Sequence, residues 1–386
     1  MKSTPRSASV RPVRETMLVF GAPDLEEPEI DEVLATLRSG WIGTGPRVAR
    51  FEAAFAAYQG VDDAVALSSC TSALHLSLLA SGIGAGDEVI TTPLTFCATL
   101  NAVLHAGATP VLADVDPATM NLDPAEVERR ITPRTRGIIV VHFAGRPCAM
   151  DEILALARDH KLLVFEDCAH AIETRYRGRP AGTMGDFGAF SFYVTKNVVT
   201  GEGGMVLSRH PDALDHIKVL ALHGLSRDAW KRFGDEGYRH YHVVDAGFKS
   251  NMTDLQAALG LHQLERVERN HLVREAIWHR YDQALADLPL VLPAPAQRHE
   301  RHARHLYTVL VDEERAGVGR DRFLDAMTAL NIGVGVHYLS LPEHPYYRER
   351  FGWRPEQWPH AARIGRTTVS LPLSSGLSEG DVEDVI

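Results

Sequence analysis

The chain has 386 residues, 45% hydrophobic and 23% charged, and its 40 Lys and Arg against 50 Asp and Glu give a formal charge of -10. That length exceeds what one core usually organises, so a peptide, a small disulfide scaffold and a disordered chain are excluded and two domains are expected. The negative balance argues against broad binding to nucleic acid or to an anionic membrane surface.

Residues 1–15 are basic and polar, lack the apolar segment of a secretory signal, and read as a disordered lead-in. Nothing marks export, and the four cysteines, Cys70, Cys97, Cys148 and Cys168, form no CxxC pair, so a reduced, cytoplasmic protein without a zinc site is expected. From about Ala64 to Val206, short apolar runs alternate with helix-period stretches. The expected strands are Ala64 to Leu67, Glu88 to Thr92, Thr109 to Ala113, Gly137 to His142, Leu162 to Glu166, Gly188 to Tyr193 and Gly204 to Leu207. Helices are expected at Thr71 to Ser81, Thr95 to Ala106, Ala125 to Ile131 and Ala149 to His160. Val89 to Ala113 is long enough to raise a membrane span, but Pro93, Asn101, His105 and the turn before Pro110 divide it into strand, helix and strand. The fold class is α/β: a mostly parallel seven-stranded sheet, residues 16–250, flanked by helices. Near 251 the rhythm changes: Thr253 to Gln256 offers a capping box, a helix runs from Leu255 towards Ala286, and a smaller α+β domain fills 251–386, with a strand at Leu306 to Val311 and a helix at Arg320 to Leu330.

Open α/β sheets bind ligands beyond the carboxyl ends of their strands, so the chemistry is sought there. Lys196 follows an apolar strand and precedes Gly201-Glu202-Gly203-Gly204. Most lysines are solvated, but Phe190, Phe192 and Tyr193 suggest a desolvated amine, more nucleophilic towards a carbonyl. Val164-Phe165-Glu166-Asp167-Cys168-Ala169-His170 ends a strand in carboxylates. Such an acid can cap the next turn, or it can face a ring nitrogen and keep a pyridinium protonated. Ser68-Ser69-Cys70-Thr71-Ser72 sets hydroxyls at a helix amino terminus, where capping needs one of them and an anion such as phosphate could use the rest. Phe96 is either core or a platform for a planar ring. Phosphate hydroxyls, a stacking aromatic, an acid and a lysine, in that order, specify pyridoxal phosphate. A dinucleotide-binding oxidoreductase would need a GxGxxG turn, which Ser68 to Ser72 does not supply.

With these motifs, and with Gly40-Trp41-Ile42-Gly43-Thr44-Gly45-Pro46, Gly86-Asp87-Glu88-Val89-Ile90 and Ser370-Leu371-Pro372-Leu373, nearly the whole chain resembles the DegT-type nucleotide-sugar aminotransferases, a branch of the fold-type I pyridoxal-phosphate enzymes. The resemblance implies that Lys196 binds the coenzyme covalently and moves the proton, and that Asp167 partners the pyridine nitrogen. It also implies that His170 packs near the coenzyme's phenolic oxygen, Phe96 stacks on its ring, and Thr71, Ser72 and Ser191 hold its phosphate. Lys249 stands where many relatives carry an Asn that reaches the phosphate in the neighbouring subunit, which implies a homodimer. Cys70 replaces a common Gly, and Pro342, in the segment His337 to His344, replaces a common His, so family substrate contacts are not expected at that position. The implied reaction moves an amino group from L-glutamate to a nucleotide-linked keto sugar, at C4 by the form of Gly247-Phe248-Lys249 and by His170. Amination of a cyclitol ketone, formation of an aminobenzoate, or a non-catalytic regulatory or scaffold protein on the same fold are the alternatives, the last disfavoured by the intact Lys196 and Asp167. Relatives with His in place of the lysine deoxygenate instead, a chemistry that Lys196 opposes. Arg227 and Trp230 are further candidates for contacting a nucleotide, and the tract His299, Arg301, His302, Arg304, His305 reads as a solvated connection rather than a metal site.

Overall fold

The computed structural model describes residues 12–226 and 241–386. Among the described residues thirteen strands run in chain order: β1 (Val65–Leu67), β2 (Glu88–Thr91), β3 (Thr109–Leu112), β4 (Thr135–Val141), β5 (Leu163–Asp167), β6 (Arg175–Tyr176), β7 (Arg179–Pro180), β8 (Phe187–Ser191), β9 (Gly204–Ser208), β10 (Leu290–Val291), β11 (Glu300–Arg301), β12 (Tyr307–Val311) and β13 (Thr368–Leu371). Seven of them form one sheet in the order β1-β9-β8-β5-β4-β2-β3. Only β9 runs against its neighbours, so the sheet is mostly parallel, and each expected strand lies within two residues of its place. Side chains alternate across a strand, and β4 shows it: Ile138 and Val140 enter the core on one face while Ile139 enters the core on the other. Covered on both faces, such a strand reads as an unbroken apolar run.

The first core is anchored by Phe51, Phe55, Phe190 and Phe192, whose centroids lie 4.9 to 6.3 Å apart. Each buried ring contributes about 1.5–3 kcal/mol from area alone. Helix Pro46–Gln59 starts at Gly45, which offers no capping side chain, and buried Asp254 supplies the cap from across the chain, accepting from the N–H groups of Arg47 (3.1 Å) and Val48 (2.9 Å). Asp114 does the same for helix Pro359–Thr367 through His360 and Ala361, both 3.0 Å. Asp254 thus ties helix Pro46–Gln59 to helix Asp254–Glu265, and Asp114 ties helix Pro359–Thr367 to the chain just after β3, each satisfying helix-end donors.

The helix expected from Leu255 is two helices, Asp254–Glu265 and Val267–Ala284, meeting at Arg266, whose guanidinium pairs with Glu26 and Glu29. Met252, Ala257, Leu261 and Leu264 belong to the core of Phe51 and Phe55, whereas Ile277, Trp278 and Tyr281 join Tyr307, Val309 and Val369 in a separate core beneath the antiparallel sheet β10-β12-β13. Of the lead-in, residues 1–11 lie outside the described residues, and Arg14 is held by Asp381 (2.8 Å) and Asp384 (2.5 Å).

Candidate active site

Beyond the carboxyl ends of β1, β2, β4, β5 and β8 lies a cavity of about 500 Å³, lined by Thr71, Phe96, Asp167, His170, Ser191 and Lys196 among others. Six of the expected site residues thus share one space. Ser72 sits at the same helix terminus but behind the lining, its hydroxyl 3.2 Å from that of Ser68 and 3.1 Å from that of Ser69. Lys249 is exposed and outside the lining, its backbone bridged to Leu222. Arg227 and Trp230 lie outside the described residues.

The two carboxylates that end β5 are sorted by strand alternation. Glu166 points away from the cavity and accepts from the N–H groups of Gly182 (2.8 Å), Met184 (2.7 Å) and Gly185 (2.6 Å) and from His142 Nε2 (2.9 Å), a structural cap for that turn. Asp167 points into the cavity. Its Oδ2 accepts from Thr99 Oγ1 at 2.8 Å and its Oδ1 from Ala169 N–H at 3.1 Å, with Cys70 Sγ at 3.8 Å. Burial raises the Asp167 carboxyl, and the Thr99 and Ala169 bonds and the Lys196 charge oppose that rise. Oδ2, which accepts from Thr99 alone, keeps a further lone pair for a donor inside the cavity.

Lys196 ends a turn closed by its own N–H to the Tyr193 carbonyl at 2.8 Å. Burial pushes its ammonium down to about 8, against the pull of Cys70 and Asp167. An amine in that range is about a tenth to a fifth neutral near physiological pH, far more than an ordinary lysine, and correspondingly more nucleophilic. Helix Cys70–Ala80 presents its amino terminus to the cavity, with Ser69 as cap accepting the Ser72 N–H at 3.1 Å, so the Thr71 hydroxyl remains for a ligand. Gly204 is required beside it: a Cβ there would meet the Ser69 carbonyl carbon at 2.3 Å and the Cys70 nitrogen at 2.5 Å. Cys70 in place of the usual Gly leaves the turn intact and aims its sulfur at Asp167. Phe96 is 58% exposed at the cavity wall, 6.0 Å from the Tyr338 ring. A large apolar ring so placed is suited to stacking on a planar ligand.

His170 is buried, and its Nδ1 accepts from Ala144 N–H at 3.2 Å, so the proton of the neutral ring sits on Nε2 and is donated to Tyr338 Oη at 3.0 Å. Burial, then the Lys196 charge, holds this imidazole well below its usual range. Tyr338 keeps its own proton to donate into the cavity, because burial raises its phenol. His337 and Tyr338 start the segment that carries Pro342; Pro342 itself is buried in the turn Leu341–Glu343, outside the cavity lining, while the start of the segment reaches the site. The reading of residues 299–305 as a solvated connection is corrected: His302, Arg304 and His305 are buried, with the Arg304 guanidinium 4.5 Å from the Trp278 ring centroid. Thr99 also escaped the sequence reading; its signal was the pair Thr95 and Thr99 one helical turn apart, whose hydroxyls are 2.8 Å apart.

The residues fit pyridoxal phosphate by their donor set: a desolvated amine, an acid held from behind, and a helix terminus with a spare hydroxyl. No helix among the described residues is long and apolar enough to cross a membrane.

Residues 23–386 match the model of the DegT/DnrJ/EryC1/StrS aminotransferase family. The chain is 48% identical over 374 residues to the spore coat polysaccharide biosynthesis protein SpsC of Bacillus subtilis, covering 97% of this chain and 96% of that protein. Among solved structures it is similar to the putative sugar aminotransferase Spr1654 from Streptococcus pneumoniae in its PMP form, with TM-score 0.88, 33% identity and 95% of each chain covered. Helicobacter pylori PseC, an aminotransferase involved in the biosynthesis of pseudoaminic acid, superposes with TM-score 0.88 at 27% identity, covering 96% of this chain and 97% of that one. The protein therefore belongs to the DegT/DnrJ/EryC1/StrS aminotransferase family and is a pyridoxal-phosphate-dependent aminotransferase acting on a sugar.

Proposed function

We propose that the enzyme transfers the amino group of L-glutamate to C4 of a nucleotide-linked keto sugar, in the cytoplasm, as a homodimer. The observation that carries the chemistry is that Lys196 and Asp167 line one cavity at the carboxyl edge of the sheet. Polysaccharide biosynthesis in the name of SpsC and pseudoaminic acid in that of PseC support an activated sugar as acceptor. The C4 position rests on His170 and on the form of Gly247-Phe248-Lys249. Val243, Val244 and Phe248 are exposed large apolar side chains in the same segment as Lys249, which supports a subunit interface there.

When bound, pyridoxal phosphate supplies an aldehyde that takes up the amine and a pyridinium that withdraws electrons from the reacting carbon. The rest falls to the chain. Lys196 is the covalent anchor and the proton carrier, its neutral form favoured by burial. Asp167, steadied by Thr99 and Ala169, holds the ring-nitrogen proton. Thr71 and Ser191, with the helix N–H groups, would hold the phosphate, Ser72 would brace that terminus from behind the lining through Ser68 and Ser69, and Lys249 would reach the phosphate of the partner subunit. Phe96 would offer its exposed face to the ring, and Tyr338, oriented by His170, would donate to an oxygen in the cavity.

Purified enzyme incubated with L-glutamate and a panel of nucleotide-linked 3-keto and 4-keto sugars tests the reading by mass spectrometry of the products. A 4-amino sugar with release of 2-oxoglutarate is expected. Turnover confined to 3-keto sugars would overturn the C4 assignment, and turnover confined to a free cyclitol ketone would overturn the nucleotide sugar.

A further inference from the structure

Residues 302–305 run behind the active site, tied to the turn after β4 by the Ala303 N–H to the Gly145 carbonyl (2.9 Å) and the His305 N–H to that of Ala144 (3.1 Å). The His305 ring lies on that of His170, centroids 4.5 Å apart and planes 32° apart. On its other side His305 Nδ1 is 2.9 Å from Oδ1 of Asn197, the residue that follows Lys196. The amide of Asn197 can face only one way. Its nitrogen lies 2.9 and 3.2 Å from the two carboxylate oxygens of Glu173 and 3.2 Å from the Ala303 carbonyl, all acceptors. Its oxygen therefore faces His305, and Nδ1 must carry the proton. Glu173 is itself fixed by a buried ion pair with Arg274, whose Nε donates to the Arg304 carbonyl at 3.2 Å.

Resting on the reading that Lys196 is the reacting amine, we propose that His305 is a positioning residue for the reaction. Its Nδ1–H fixes Asn197, and with it the backbone from which Lys196 projects, while its ring fixes the plane of His170 and so the direction of the Tyr338 hydroxyl. One buried ring thereby sets the amine and the donor, both lining the cavity, in a single register. The sequence separation, 108 residues between His305 and Asn197, makes this a junction between the C-terminal segment and the catalytic turn. Small displacements matter here, because misplacing a reacting group by about 1 Å costs on the order of 10²-fold in rate.

The test uses holoenzyme carrying H305F, which keeps a stacking ring but has no donor, and H305Q, whose amide can donate to Asn197. H305F is expected to lower kcat about tenfold with KM for the amino donor changed less than about twofold, and to move the pH midpoint of the coenzyme's visible band. H305Q is expected to recover most of both. If H305F lowers Tm but leaves kcat and the midpoint unchanged, or if H305Q is as impaired as H305F, the proposal is wrong. Should H305F fail to fold, H305Y, which also keeps a ring but has no Nδ1 donor, is compared with N197A and with the double variant. Coupling through one bond requires the double variant to be no slower than N197A, and additive losses would overturn the proposal. Failure of the underlying reading looks different: Lys196→Ala would then retain turnover, whatever the result at His305.

Discussion

The front and back walls of the active site are built by different means. The front wall is the rim of the large sheet, where Asp167 and Ser191 end β5 and β8 and Ser69 to Thr71 follow the end of β1 by two to four residues. The back wall is made by chain that arrives from far away: residues 302–305 behind His170 and Asn197, and His337 with Tyr338 across the cavity. The contrast teaches a division of labour. In the proposed function the rim carries most of the groups meant for coenzyme and substrate, and the back wall holds them at fixed angles with neutral, buried or half-buried rings.

The contrast breaks first at Lys196. Lys196→Ala should abolish transamination and the visible absorbance of the purified protein while leaving its circular dichroism unchanged; residual turnover above background would show that another amine reacts. Asp167→Asn should slow the reaction by about 10²–10⁴-fold, because the amide cannot keep the ring nitrogen protonated; single-turnover absorbance measures the proton-transfer step. A smaller effect follows from pH. The groups facing the Lys196 amine are Asp167, Cys70, His170, His305 and His337, and burial outweighs the pull of Asp167 and Cys70 to leave it at about 8. Only the neutral amine attacks an aldehyde, so the rate at which apoenzyme captures pyridoxal phosphate should rise with pH through about 8, with about a fiftyfold gain from pH 6 to pH 8. A rate that is flat over that range would mean that the amine is already neutral at pH 6.

Smaller again is the effect of Thr99, which stands behind the rim. Thr99→Val removes the donor to Asp167 Oδ2 and should cost about tenfold in kcat, with Thr99→Ser close to wild type. Equal losses in Val and Ser would show that the methyl group, through packing, is what matters.

The rim was legible because its signals are local. Strand period, a run of hydroxyls before a helix, and an acid or lysine just past an apolar run all lie within a few residues, and the mostly parallel sheet follows from the same spacing. The back wall was not legible, because nothing local distinguishes a histidine in a basic tract from a solvated one. His302 and His305 are buried because Trp278 and His170 pack against them, and those partners lie more than twenty residues away. The same holds for Asp254 and Asp114, whose helix-capping roles depend on segments brought together only by folding. Lys249 is a third case, since its expected partner is on another subunit.

Glu166 and Asp167 offer the finest version of the comparison, two adjacent acids separated only by the pleat of β5. Glu166→Gln would set an amide donor against the Gly182 N–H, which now donates to Oε2 at 2.8 Å, and an unsatisfied buried donor costs about 1–3 kcal/mol. Thermal unfolding should therefore fall by several degrees while kcat stays within about twofold of wild type, the reverse of the pattern at Asp167. If Glu166→Gln instead lowered kcat as far as Asp167→Asn with Tm unchanged, the division between a structural and a chemical face of β5 would not hold. The charge of Glu166 would then be felt at the ring nitrogen through the strand.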